Sequence, residues 1–347
     1  MVTNTDLRGF LLALLLISLI LPLAAAQDNS AAKKTPHLVE VAPADPEVAK
    51  TATHLEIDPI GTDEKSKFAD LSTFCLDAKE NILACDSKAK LIKVISPKGK
   101  LLNTFKLDFD PYVICTSKDG SIYVAGWGIV ARLDAKGKII KTIEVKSEDQ
   151  PEGRASGIAV TQKDVFVCFG SSWSLRSTSN IYRFDTDLAN KKQIATGMRG
   201  CCQRLDIVTK KNTLYVAENT RHRVVKLDRD GKELAKWGSR TRDDVEGFGS
   251  CCNPMNLAFG VKGELYTAES GLGRVKRYSP DGKFLSLVGY VGTTRFNRAG
   301  RTAASCSNIT VAPNKDGSKI YVLDFSNNLI RVLQAKKPTA ADAGKKS

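Results

Sequence analysis

The sequence predicts an all-β fold, a six-bladed β-propeller whose ring is closed by a strand from the N-terminal end. Three observations lead there. A strand-like segment recurs six times, as NILACD, SIYVAG, DVFVCF, TLYVAE, ELYTAE and KIYVLD. Its third residues are Leu83, Tyr123, Phe166, Tyr215, Tyr266 and Tyr321, so the repeat lengthens from 40 residues (83 to 123) to 55 (266 to 321). Each copy is flanked by further short apolar runs, separated by Gly-Lys, Asp-Gly and Lys-Gly turns that are hairpin signals. The last copy lacks a fourth run, because LIRVLQA leads straight into the polar KKPTAADAGKKS. One four-stranded sheet cannot cover both of its faces, whereas six arranged radially can.

Taken in chain order, the first segment reads as a targeting signal. A short head with one arginine, MVTNTDLRG, precedes the apolar run FLLALLLISLILPL and then AAAQ. Ala24 and Ala26 fit the small-residue positions of a cleavage site before Gln27. The rival is an uncleaved membrane anchor, for which Phe10 to Ala26 is slightly short. On the first reading residues 1–26 are a signal peptide and the mature chain is secreted or periplasmic, in an oxidising compartment. Residues 27–50 read as a flexible linker and Ala52 to Ile57 (ATHLEI) as the closing strand. The blades fall at about 66–106, 107–147, 148–195, 196–242, 243–292 and 293–335, and residues 336–347 form a disordered basic tail.

The formal net charge is +14, and cleavage would remove one acid (Asp6) and one base (Arg8), leaving it unchanged. Such a charge suits an anionic polysaccharide or an acidic protein partner. Many lysines, however, sit in recurring turns (SPKGK, DAKGK, DRDGK, SPDGK) and in the tails, which reads as charge spread round the molecule. Nucleic acid is excluded as a partner, since there is neither a basic stripe nor an RNA-binding signature.

Nine cysteines divide into two kinds. Cys85 and Cys168 share a column with Ala125, Ala217 and Ala268, while Cys75 and Cys115 share one with Ala159 and Ala258. These four read as small apolar fillers between blades; a Cys75–Cys85 bridge across one hairpin is a further reading. Cys201, Cys202, Cys251, Cys252 and Cys306 instead precede the innermost strands of blades four, five and six. A closed ring would gather them on one sector of the channel mouth. Three chemistries suit such a cluster. Export favours disulfides between blades. The count of thiolates suits copper(I), zinc or an iron–sulfur cluster. Arg199 and Arg204 beside the first pair suit a reactive thiol or a vicinal disulfide.

The repeat resembles the NHL family, whose pattern runs Pro-x-Gly-Ile-Ala-Val-Asp, a Gly turn, Ile-Tyr-Val-Ala-Asp, then Asn-x-Arg-Ile. NPMNLAFGVKGELYTAESGLGRVKRYSPDGKFL and RLDIVTKKNTLYVAENTRHRVVKLDRDGKEL carry most of it. The resemblance, over residues 66–334, implies the propeller and leaves function open among scaffolds, receptors and lyases. An amidating lyase would need several channel histidines, and only His37, His54 and His222 exist. The fold is also similar to six-bladed lactonases that ring a channel ion with Asp, Asn and Glu oxygens. In this sequence Asp206, Asn256 and Asn308 occupy one repeat column at the start of the inner strand, where blade three has Gly157. That column suits a hard cation or, alternatively, a backbone position that Asn and Asp tolerate as glycine does. Glu218, Glu269, Asp86 and Asp324 end the second strands as turn-stabilising acids. Trp127 and Trp173 follow second strands and are expected at the opposite rim, with Trp173 in a loop long enough to touch a ligand. The expected function is an exported binding or scaffold module; the alternative is a metal- or thiol-dependent oxidoreductase or lyase using the same cysteines.

Overall fold

The computed structural model describes residues 46–147, 150–170, 178–201, 203–241, 244–250, 252–292 and 308–337, all within one compact unit. The signal-peptide segment, most of the linker, the end of the basic tail, Trp173, Cys202, Cys251 and Cys306 lie outside the described residues. The last five linker residues, Pro46–Lys50, form a short helix instead of an extended linker.

Six four-stranded antiparallel sheets follow one another along the chain. Five are meanders spanning residues 71–106, 113–144, 155–199, 206–237 and 256–290. The sixth takes three strands from residues 311–335 and its fourth from His54–Ile60, which pairs with Leu329–Ala335 in the register His54↔Ala335 to Ile57↔Val332. The ring closes with an N-terminal strand, as the missing fourth run in the sequence requires.

Burial explains why the repeats read as they do. Second strands are packed on both faces: Ile82–Asp86 and Asp164–Gly170 are buried throughout. They therefore appear as continuous apolar runs. The outer strand Ile139–Glu144 covers one face only and alternates. Apolar clusters fill the six gaps between neighbouring blades, and the last joins Tyr321 and Leu323 of blade six to Phe74 and Ala84 of blade one. The recurrent aromatic and the alanine-sized position two residues on both point into these gaps. Cys85, Ala125, Cys168, Ala217 and Ala268 have no exposed surface at all.

Strand direction alternates within a blade, so each inner strand starts at one face, here called upper, and ends at the lower face. The connections between second and third strands share the upper face with the inter-blade segments. This corrects the expected place of Trp127: it pairs with Arg154, at the start of the next inner strand, and lies on the upper rim. The turns joining strands one to two and three to four lie on the lower face. The lysine-bearing turns that the sequence spreads round the molecule are thus gathered on one side. Contacts between neighbouring turns show it, such as Lys210 Nζ donating to Gly263 O at 2.6 Å and Lys315 Nζ to Ala78 O at 2.6 Å.

Candidate functional site

Inner strands from all six blades wall an axial cavity of about 330 Å³. Innermost strands have no ladder partner on the channel side, so their backbone groups need other partners. Side chains supply them. Asp206 Oδ2 accepts from Leu257 N–H at 2.7 Å, and Asn256 Oδ1 accepts from Val311 N–H at 2.8 Å. Asn308 Nδ2 donates to Ser72 O at 2.6 Å, and Ser72 Oγ to Pro111 O at 2.7 Å. Ser156 Oγ donates to Leu205 O at 2.9 Å. Among the described residues these side chains staple five of the six junctions, all but that between blades two and three.

This pattern replaces the glycine-like reading of the Asp/Asn column. Neither Asp206, Asn256 nor Asn308 has a left-handed backbone, so glycine-like tolerance is not their reason. Asp206 and Asn256 stand opposite Ala217 and Ala268. In blade six that place belongs to Thr310, whose carbonyl accepts from Leu323 N–H at 2.8 Å; Asn308 lies two residues nearer the mouth. Gly157 is glycine because a Cβ there would lie 2.9 Å from both Ile207 N and Leu205 O. Asp206 and Asn256 each spend an oxygen on the neighbouring strand, and among the described residues no group of three His, Cys, Asp or Glu side chains is placed to hold a metal ion. Burial raises the Asp206 carboxyl to about 7 against the backbone donors of Leu257 and Ile207.

Cys75 and Cys115 line this channel and also pack against the clusters between blades one and two and between blades two and three; Cys85 and Cys168 are wholly buried between blades. All four are thiols. Cys75 lies opposite Leu83 and Cys85 opposite Thr73, so the Cys75–Cys85 bridge is not formed.

The narrow upper mouth is lined by Tyr112, Arg154, Arg204, Met255 and Asn308, among others. The Arg154 guanidinium stacks on the Tyr112 ring at 3.9 Å, and that of Arg204 lies 5.9 Å from the Phe325 ring. Burial, and then the charge of Arg204, lower the Arg154 pKa. Among the described residues no hydrogen bond or ion pair engages the Arg154 guanidinium. Trp127 stands beside it, 59% exposed. The acids on this side, Asp70 and Asp110, accept from Ser87 Oγ and, at 3.5 Å, from the Tyr112 hydroxyl.

The described members of the cysteine pairs, Cys201 and Cys252, pack behind Met255 at this mouth. Buried Asn219 accepts from Cys201 N–H and donates to Arg204 O, both at 2.8 Å, closing the Cys201–Arg204 turn. In blade five Asn253 plays the same part, accepting from Ser270 N–H and donating to Gly249 O at 2.8 Å. Cys252 is buried beside Met255, and Cys201 packs against the same apolar cluster. The segments carrying the two cysteine pairs therefore do meet, although 50 residues separate Cys201 from Cys251 in sequence. Arg199 is exposed at the end of an outer strand, and its N–H is held by Glu218 Oε1 at 3.3 Å; it does not line the mouth. The sequence reading missed Arg154 and Tyr112. Their signal was available, since both immediately precede inner strands, near the place that Arg204 holds in blade four.

In sequence, no family model and no curated protein matches the chain, so the NHL resemblance stands on the quoted motifs alone. Solved structures do match in fold. A streptogramin B lyase is 13% identical with a TM-score of 0.53, covering 82% of this chain and 96% of that one. The calcium-binding protein regucalcin from Agrobacterium tumefaciens is 12% identical at 0.56, covering 81% and 96%. An auxiliary nutrient binding protein from Bacteroides thetaiotaomicron is 13% identical at 0.53, covering 78% and 70%. At such identities the similarity establishes the six-bladed propeller and nothing finer.

Proposed function

We propose that the protein is an exported binding propeller that holds a carboxylated saccharide across its upper mouth. One observation carries the reading: the Arg154 guanidinium, stacked on Tyr112 and with no hydrogen-bond or ion-pair partner among the described residues, lines the same mouth as Arg204, whose charge adds to burial in lowering the Arg154 pKa. A bound anion relieves that repulsion, and the guanidinium fork matches a carboxylate bidentately. The exposed face of Trp127 offers a platform for a sugar ring beside the charge. The stacking of Arg154 on Tyr112 keeps it ordered before binding, so less freedom is lost when the ligand arrives. The cysteine-bearing segments serve here as the rigid wall that presents Arg204. Among the structures of the same fold, the nutrient-binding protein is the precedent in kind, while the lyase supports the catalytic alternative.

Calorimetric titration with short oligogalacturonides and with a neutral oligosaccharide tests this. The carboxylated series binds and the neutral one does not; Arg154→Gln and Arg204→Gln each weaken binding tenfold or more, while Arg199→Gln leaves it within twofold. Absence of binding to the carboxylated series, or equal loss in all three variants, removes the reading.

A further inference from the structure

The lower face carries a feature that a ligand at the upper mouth does not use. Every blade places an exposed lysine in the turn between its first and second strands: Lys79, Lys118, Lys163, Lys211, Lys262 and Lys315. The first five make no ion pair with a described residue. Acids in the same turns accept from local backbone N–H groups, although Asp119 and Asp316 stay exposed. Asp77 accepts from Lys79 and Asn81, and Asp119 from Ser121. On the upper side, by contrast, the recurrent bases are spent on the recurrent acids: Arg223 on Glu218, Arg274 on Glu269 and Arg331 on Asp324.

A second ring follows just outside. After each glycine turn between strands three and four comes a lysine and, two residues later, an aliphatic side chain in a bulge. The pairs are Lys100 with Leu102, Lys138 with Ile140, Lys232 with Leu234, and Lys283 with Leu285. The four aliphatics are 46–54% exposed, and Val261, beside Lys262 at a turn tip, is 70% exposed. Single exposed aliphatics are ordinary. Recurrence at one column, at one rim, each beside a lysine, is not.

We propose that the lower face docks onto a bilayer of anionic phospholipid. Lysines are compact point charges without the fork that selects one oxyanion geometry, and here they are spread over the turns of all six blades; of them only Lys118 and Lys211 share a groove, of about 590 Å³. That suits a laterally extended anionic surface, to which each lysine adds an increment within a Debye length. The aliphatics beside them suit the boundary between headgroups and acyl chains. Docking this way leaves the upper mouth facing solution, and it stands or falls independently of the ligand assigned there.

Sedimentation of the chain from residue 46 onward with vesicles tests it, using phosphatidylcholine with 30 mol% phosphatidylglycerol and phosphatidylcholine alone. Binding appears only with the anionic vesicles and falls at least tenfold between 50 and 300 mM salt. The set K79Q/K118Q/K211Q/K262Q loses binding tenfold or more. The upper-side set K88Q/K90Q/R199Q/R240Q removes the same charge and stays within threefold, and circular dichroism checks that both sets are folded. Equal loss in the two sets overturns the proposal, because net charge rather than a face would then be responsible. Absence of binding to the anionic vesicles overturns it too, whatever the chain does on polygalacturonate, which the upper mouth is assigned to hold.

Discussion

Asp206 shows how one residue can be both structurally required and costly. Its Oδ2 holds the first N–H of the next inner strand, a job that Asn256 performs equally well with an amide oxygen one blade on. The carboxylate adds only a charge that its half-buried place disfavours, hence the rise to about 7 from 3.8. The raised acid binds a proton in the native state between those values while the unfolded chain does not. Stability therefore falls as pH rises through that window and is flat above it. Asp206→Asn keeps the hydrogen bond and removes the penalty. It is expected to stabilise by about 1–2 kcal/mol at pH 8, discounted from the full linkage of about 1.4 kcal/mol per unit because the site is only partly buried. The gain vanishes near pH 4. Urea denaturation of both proteins at the two pH values measures it, and equal differences at both would show that the carboxylate is not strained.

At the scale of an element, the Cys201–Arg204 turn depends on a residue from another strand connection. Asn219 satisfies Cys201 N–H and Arg204 O at once, and also donates to Met255 Sδ at 3.4 Å in blade five. Asn219→Ala would leave buried backbone groups without partners, a loss of about 1–3 kcal/mol, and would release Arg204 from its orientation. The expected signature is a fall in melting temperature together with weaker oligogalacturonide binding. Asn219→Asp, which keeps the acceptor for Cys201, should lose less of both. Little of this was legible in sequence. The strands were, because second strands buried on both faces cannot be written with polar residues, and six such runs fixed the number of blades. The mouth was not, because Arg154 and Arg204 belong to different blades and nothing in either segment specifies the other. The misassignment of Asn308 has the same origin. Its true column is defined by pairing with Leu323, and the segment before it varies in length from blade to blade, so alignment slipped by two residues.

For the whole molecule, the ring depends on a closing strand whose chemistry inverts what its sequence suggests. In HLEIDPI the aliphatics Leu55 and Ile57 point outward, 59% and 39% exposed, while His54 and Glu56 turn inward. His54 Nε2 bonds Gly317 O at 2.9 Å, and Glu56 accepts from Gly292 N–H at 2.9 Å and from Arg331 at 3.4 Å. The latch is held by its backbone ladder, by these polar contacts and by Ile60, buried in the cluster between blades six and one. A chain starting at residue 61 exposes the edge of blade six, and an unpaired edge strand invites aggregation. Its melting temperature is expected to fall by about 10 °C or more relative to the chain starting at residue 46, with a peptide of residues 46–60 restoring most of the loss. The latch is also pH-dependent. Burial lowers the His54 pKa from 6.5, so protonation is easier in the detached strand than in the closed ring. Stability from latching is present above about 6.5 and is lost as pH falls below it. Burial raises the Glu56 pKa from 4.5, which acts in the opposite direction at lower pH, so the histidine effect is cleanest between pH 7 and 5.5. Over that interval the difference in melting temperature between the two chains should shrink, and His54→Gln should flatten its pH dependence. A difference that is constant across the interval would mean that the ladder alone holds the ring.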